Sequence, residues 1–157
     1  MAANLVPEKI ISGGQSGVDR AALDVALERG IPCGGWAPKG RRAEDGVIPE
    51  RYPLRETLSE DYGKRTRLNV RDSDATLVLT IDLPQGGTLL TLEEAHALGR
   101  PHLVVNLGRA PDPGQAARWL RQSGAGVLNV AGPRESAVPG IHQTASRFLK
   151  AVLDLTR

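Results

Sequence analysis

Short, nearly continuous apolar runs alternate along this chain with longer stretches in which apolar residues recur every three or four positions. The clearest run is Ala75 to Ile81 (ATLVLTI), rich in β-branched residues. A strand of that kind is buried on both faces, which is the habit of a parallel sheet. Lys9 to Ser12, His102 to Leu107 and Val127 to Val130 read as further strands, and Ile31 to Trp36 as a short one weakened by glycine. Helical stretches stand between them. They are Val18 to Arg29, closed by Gly30 and Pro32; a polar, basic one from about Ser59 to Val70; and Thr88 to Leu98, closed by Gly99-Arg100-Pro101. Pro113 to Gln122 follows, stopped by Gly124, and then Pro139 to Leu155, with Pro139 near its first turn. Pro38 to Leu54, with three prolines and two glycines, is expected to be irregular. This order predicts an α/β fold: a three-layer sandwich whose mostly parallel sheet has five strands or slightly more, with helices on both faces. With 157 residues and no internal repeat, residues 1–157 are expected to form a single domain.

Sheets of this class bind ligands in the loops beyond the carboxyl ends of their strands. Here those are the loops after Ser12, Trp36, Ile81, Leu107 and Val130. The chain has 18 glycines and 11 prolines without a collagen period or a low-complexity run, so the surplus belongs to particular loops. Several function classes drop out. No apolar run reaches the ~20 residues of a membrane span, and Met1 to Pro7 lacks the charged and apolar regions of a signal peptide. The single cysteine, Cys33, permits no internal disulfide and suits a reducing cytoplasm. A net charge of +2 is too mild to argue for nucleic acid. The 16 arginines against 4 lysines suit bidentate recognition of phosphate or carboxylate, and equally reflect base composition.

Two loops carry the chemistry. In the first, Ser12-Gly13-Gly14-Gln15-Ser16-Gly17-Val18-Asp19-Arg20, three glycines lie between a strand and a helix. Glycine permits close backbone approach, and the free N–H groups of the following helix favour an anion. Ser16 suits a cap, and Asp19 complements the first turn. In the second, Pro84-Gln85-Gly86-Gly87-Thr88-Leu89-Leu90-Thr91, two glycines and two hydroxyls again precede a helix. Thr88 and Thr91 suit capping, ligand contact, or both. Two such termini side by side would make a double-sided anion site. A phosphate loop of the G-x-x-x-x-G-K-[ST] type is absent, and Gly13 to Gly17 lacks the G-x-G-x-x-G spacing. The second strand ends in Pro38-Lys39-Gly40-Arg41-Arg42, basic where a dinucleotide site needs an acid; this disfavours an ordinary NAD site but not a ligand with a phosphate near Lys39 or Arg42.

In the basic helix, Arg65 lies one turn from Asn69 and Arg67 one turn from Arg71, so one face reaches the crevice or is a solvated basic face. Asp74 caps or orders the turn before the buried strand. His96, His102 and His142 have no metal-ligand spacing, so no metal site is expected. Glu44-Asp45 suits a magnesium ion beside a phosphate or a solvated loop, and Trp36 suits ring stacking or the core.

These motifs occur in a recognisable order. Ser12 to Asp24 (SGGQSGVDRAALD), Gly34-Gly35-Trp36 with Pro38-Lys39-Gly40-Arg41, Ala43-Glu44-Asp45-Gly46, Asn69 to Thr76 (NVRDSDAT) and Gly86-Gly87-Thr88 resemble the molybdenum cofactor carrier family over about residues 9–110. That family is similar in fold to the Lonely-Guy-like nucleotide-binding proteins. The resemblance implies a Rossmann-like, cytoplasmic homo-oligomer, a dimer or tetramer. It would bind the molybdenum cofactor, an anionic pterin phosphate, and pass it to molybdoenzymes without contacting nucleic acid or membrane. Gly13, Gly14, Gln15, Ser16 and Gly17, with Asp19, Asn69, Gly86, Gly87, Thr88 and Thr91, would then form the ligand site, and Lys39 and Arg42 would neutralise charge. The alternative is a nucleotide-binding protein, or a Lonely-Guy-type phosphoribohydrolase that cleaves the base from a nucleoside 5′-monophosphate. Those enzymes resemble P-G-G-x-G-T-x-x-E with a catalytic final Glu. Here the position three after Thr88 is Thr91, and Glu93 and Glu94 fall two and three residues later.

Overall fold

The structure, a computed structural model, describes residues 7–156. The expectation about a leader at Met1 to Pro7 therefore lies outside the described residues, save for Pro7. Five parallel strands form the central sheet in the order β2-β1-β9-β7-β8. They are β1 (Lys9–Ile11), β2 (Cys33–Gly34), β7 (Ala75–Thr80), β8 (His102–Asn106) and β9 (Val127–Ala131). The wholly buried β7 pairs on both sides, Leu77 with Val130 on β9 and with Leu103 on β8. This is the α/β, Rossmann-like arrangement expected.

Period-two alternation splits the sheet into two faces. Ile10, Leu77, Leu79, Leu128 and Val130 share one core with α1 (Val18–Arg29), α4 (Pro113–Ser123) and α5 (Ile141–Leu155). The alternate positions include Thr76, Thr80 and Asn129, all buried. Helices α2 (Tyr62–Arg71) and α3 (Gly86–Ala97) pack on each other, and α3 on β7, outside that apolar core. One face is thus apolar, and the other mixes Thr76, Thr80 and Asn129 with Ile11 and Val78. Among the described residues no helix is long and apolar enough to cross a membrane.

The expected strand Ile31 to Trp36 is broken at Gly35. A Cβ there would lie 2.0 Å from the Ser12 carbonyl oxygen, so the chain passes β1 too closely to continue the sheet. It resumes as β3 (Trp36–Ala37), which pairs in parallel with β6 (Arg55–Glu56). The segment expected to be irregular contains a small antiparallel hairpin, β4 (Arg42–Ala43) with β5 (Gly46–Val47). The Arg41 side chain ties it down by donating to the carbonyls of Ile48, Pro49, Tyr52 and Leu54. Below it Ile48 and Tyr52 pack on Leu23. Asp74 accepts from the Val127 N–H at 2.8 Å and so ties the turn before β7 to the start of β9. The last helix starts at Ile141 rather than Pro139, because Gly140 takes a left-handed φ of 88° ahead of it.

Candidate functional site

The loops that follow β1, β7 and β9 meet at one end of the sheet and enclose a cleft of about 870 Å³. That volume suits a small molecule. Gln15 and Asp19 line it from the first loop and α1, and Tyr62, Arg65 and Thr66 from α2. Gln85, Gly86, Gly87, Thr88 and Thr91 line it from α3, and Arg134, Val138 and Pro139 from the loop after β9.

Helix α3 begins two residues earlier than expected, so both glycines belong to its first turn. Its N-cap, Gln85, makes no side-chain capping bond, whereas Asp61 caps α2 and Asp112 caps α4. The uncapped end thus presents orphan N–H groups to the cleft. Thr91 turns its hydroxyl to the Gly87 carbonyl at 2.9 Å.

Arg65 stands at the centre of the polar wall. Its guanidinium occupies the space beside Gly13 in which a side chain would lie: a Cβ there would be 1.8 Å from Nη1. Nη1 reaches Asp19 Oδ2 at 3.4 Å, a long contact, and the group lies 6.0 Å from the Tyr62 ring. Its Nε is buried and has no hydrogen-bond partner. A buried, unpaired guanidinium N–H is costly unless something else accepts from it. Asp19 has a side chain only 6% exposed. Burial pushes its carboxyl up to about 6, against the pull of Arg65, the Gln15 N–H and Arg20.

Three N–H groups of the first loop are used inside the protein. The Gly14 N–H donates to Ser12 Oγ (3.3 Å), the Gln15 N–H to Asp19 Oδ2 (3.3 Å) and the Val18 N–H to the Pro133 carbonyl (3.2 Å). The helix start that lines this cleft with two glycines is that of α3, and Arg65 lines the cleft with it.

The circularly permutated YpsA SLOG family matches residues 10–153. The chain belongs to that family. A crystal structure of a Syntrophus aciditrophicus SB protein named "Putative molybdenum carrier protein" is 45% identical, covers 94% of this chain and 96% of that one, and superposes with a TM-score of 0.90. The curated proteins contain no match.

In this YpsA SLOG member the other expected positions lie apart from the cleft. Gly14, with φ 73°, faces Leu54 and Ile48 and not open space. Ser16 and Gly17 line a separate, shallower cavity of about 450 Å³ with Arg20, Glu44, Asp45 and His142. There the Ser16 hydroxyl donates to Glu44 Oε2 (2.5 Å), and Arg20 grips Asp45 with two bonds (2.7 and 3.0 Å). Both carboxylates thereby strap the hairpin onto the first loop. Lys39 is exposed, and Arg42 is an exposed partner of Glu60 at 3.6 Å, its carbonyl accepting from Gln15 Nε2. Asn69 holds the backbone of Trp36, accepting from its N–H at 2.8 Å and donating to its carbonyl at 3.1 Å. Trp36 Nε1 donates to Asp72. Among the described residues no three His, Cys, Asp or Glu side chains gather in a way that could hold a metal. Cleft residues outside the expected set include Arg65, Tyr62, Thr66, Asp82, Gln85 and Arg134. Of these Arg65 carried a signal, its one-turn spacing from Asn69, and Gln85 stands in the second glycine loop.

Proposed function

We propose that the cleft binds the phosphate of an anionic small molecule, the molybdenum cofactor foremost, and that the protein carries this cargo. The observation that carries the reading is Arg65: a largely covered cation, its side chain 14% exposed, whose buried Nε has no partner, beside the uncapped start of α3. Gly87 supports it. Its φ is not left-handed, and a Cβ there would meet nothing within 4 Å, so neither backbone nor packing accounts for glycine. Close approach of a ligand does. These residues fit the phosphate end of the cofactor, with Arg65 and the N–H groups of Gly86 and Gly87 holding its oxygens. On this reading the protein is a cytoplasmic homo-oligomer that passes its cargo to molybdoenzymes. The name of the 45% identical Syntrophus protein points the same way.

Calorimetric titration of the purified protein with molybdenum cofactor, AMP and ADP-ribose under anaerobic conditions tests this. The cofactor is expected to bind tightest. AMP binding as tightly as the cofactor would replace the carrier reading with a nucleotide-binding one.

A further inference from the structure

An anion site made of an arginine and a helix N-terminus has no need of a carboxylate, yet Asp19 lines the same cleft, more than nine-tenths buried. Both of its contacts, from the Gln15 N–H and Arg65 Nη1, fall on Oδ2. Among the described residues Oδ1 has no partner. An ionised carboxylate in that position repels an incoming oxyanion, and the two coexist when one proton lies between them. The other titratable or charged groups facing this region are Arg20 on α1, Tyr62 on α2, Asp82 after β7, and Arg134 after β9. Arg134 lies 3.8 Å from Glu44 and Arg20 is taken by Asp45, which leaves Arg65 as the cation in contact with Asp19. An anion that takes Arg65 therefore removes a cation that favours the ionised form of Asp19.

Resting on the anion-binding reading above, we propose that the cleft takes up an oxyanion together with one proton, held between Asp19 Oδ1 and an oxygen of the anion. It thereby prefers a phosphate monoester, which shares that proton evenly with Asp19, over weakly basic oxyanions such as sulfate and molybdate, beside which the proton stays on Asp19 in a weaker bond. The proton comes from solution, and no covalent bond forms or breaks. A phosphate monoester has its second pKa near 6, which matches the value to which burial raises Asp19, about 6. The O–H···O bond between two groups of matched basicity is charge-assisted and strong. Sulfate and molybdate accept such a bond poorly. The cargo that fits is a phosphate-bearing molecule, not the free metal oxyanion.

Calorimetry with methyl phosphate, sulfate and molybdate on the wild type and on Asp19→Asn decides the matter. In the wild type, methyl phosphate is expected to bind at least about tenfold tighter than sulfate or molybdate at pH 6.5. Sulfate, which does not itself titrate in this range, is expected to weaken by about tenfold per pH unit between pH 7 and 8. In Asp19→Asn the sulfate profile flattens and the preference for methyl phosphate closes. A direct count in the wild type, from two buffers of different ionisation enthalpy, should give one proton taken up per sulfate at pH 7.5. Equal affinities for the three anions, or no proton uptake, overturns the proposal while leaving the anion site in place. Failure of all three to bind either protein removes the anion site and the proposal with it.

Discussion

Gly13 and Gly14 are neighbours with the same side chain and opposite roles. The hydrogen of Gly13 leaves room for the Arg65 guanidinium, the movable end of a long side chain. In Gly13→Ala that guanidinium must shift away from Asp19. Stability should fall by less than about 1 kcal/mol, while affinity for methyl phosphate drops at least about tenfold. Gly14 holds a left-handed φ of 73°, and a Cβ there would lie 2.3 Å from Leu54 Cδ1. Gly14→Ala should therefore cost roughly 1–3 kcal/mol in folding through strain and overpacking, with the affinity of the folded protein near that of wild type. Thermal denaturation and calorimetry on the pair separate the two cases, and swapped outcomes would refute this assignment. In sequence the two positions are indistinguishable members of one glycine loop. Which neighbour each faces depends on helix α2 and the rim segment, both distant along the chain.

At the scale of elements, the helices differ in how their first N–H groups are satisfied. Asp61 and Asp112 accept from the Gly63 and Gly114 N–H groups and so cap α2 and α4. Gln85 makes no such bond ahead of α3. The Gly87→Ala variant probes that end directly. Alanine is the better helix former by up to about 1 kcal/mol, and its methyl group meets no protein atom within 4 Å. The melting temperature should hold or rise while methyl phosphate binding weakens; unchanged binding would show that no ligand approaches the α3 terminus. The helix periodicity was legible in sequence, and Val18–Arg29 has the expected bounds. The break of the second strand was not, because it comes from contact between Gly35 and the Ser12 backbone and not from a local preference.

For the whole molecule, Asp19 links the site to stability. Its carboxyl titrates near 6 in the fold against about 3.9 in an unfolded chain. Because the folded value is raised, the stabilising contribution of the neutral form is fully present below about pH 4 and lost as pH rises through 6. The loss amounts to about 3 kcal/mol. Glu44, Asp45 and Asp72, held low mainly by hydrogen bonds from Ser136 and Ser16, from Arg20 and from Arg71, act in the opposite sense, so the comparison with Asp19→Asn isolates the effect. Urea denaturation from pH 4 to 7 should therefore show Asp19→Asn gaining on the wild type by up to that amount, and a pH-independent difference would contradict the burial of the carboxyl. The sequence by itself determined the element types, their order and the α/β class, because strand and helix periodicities are local and each buried run declares its own environment. It also marked Gln15, Asp19, Gly86, Gly87, Thr88 and Thr91, because ligand loops follow strands. Only the tertiary structure decided that Arg65, 46 residues from Asp19, completes this group while Lys39, Arg42 and Asn69 stand elsewhere. The reason is physical: where α2 docks and which N–H groups remain unpaired are settled by packing and hydrogen bonding between segments far apart in the chain.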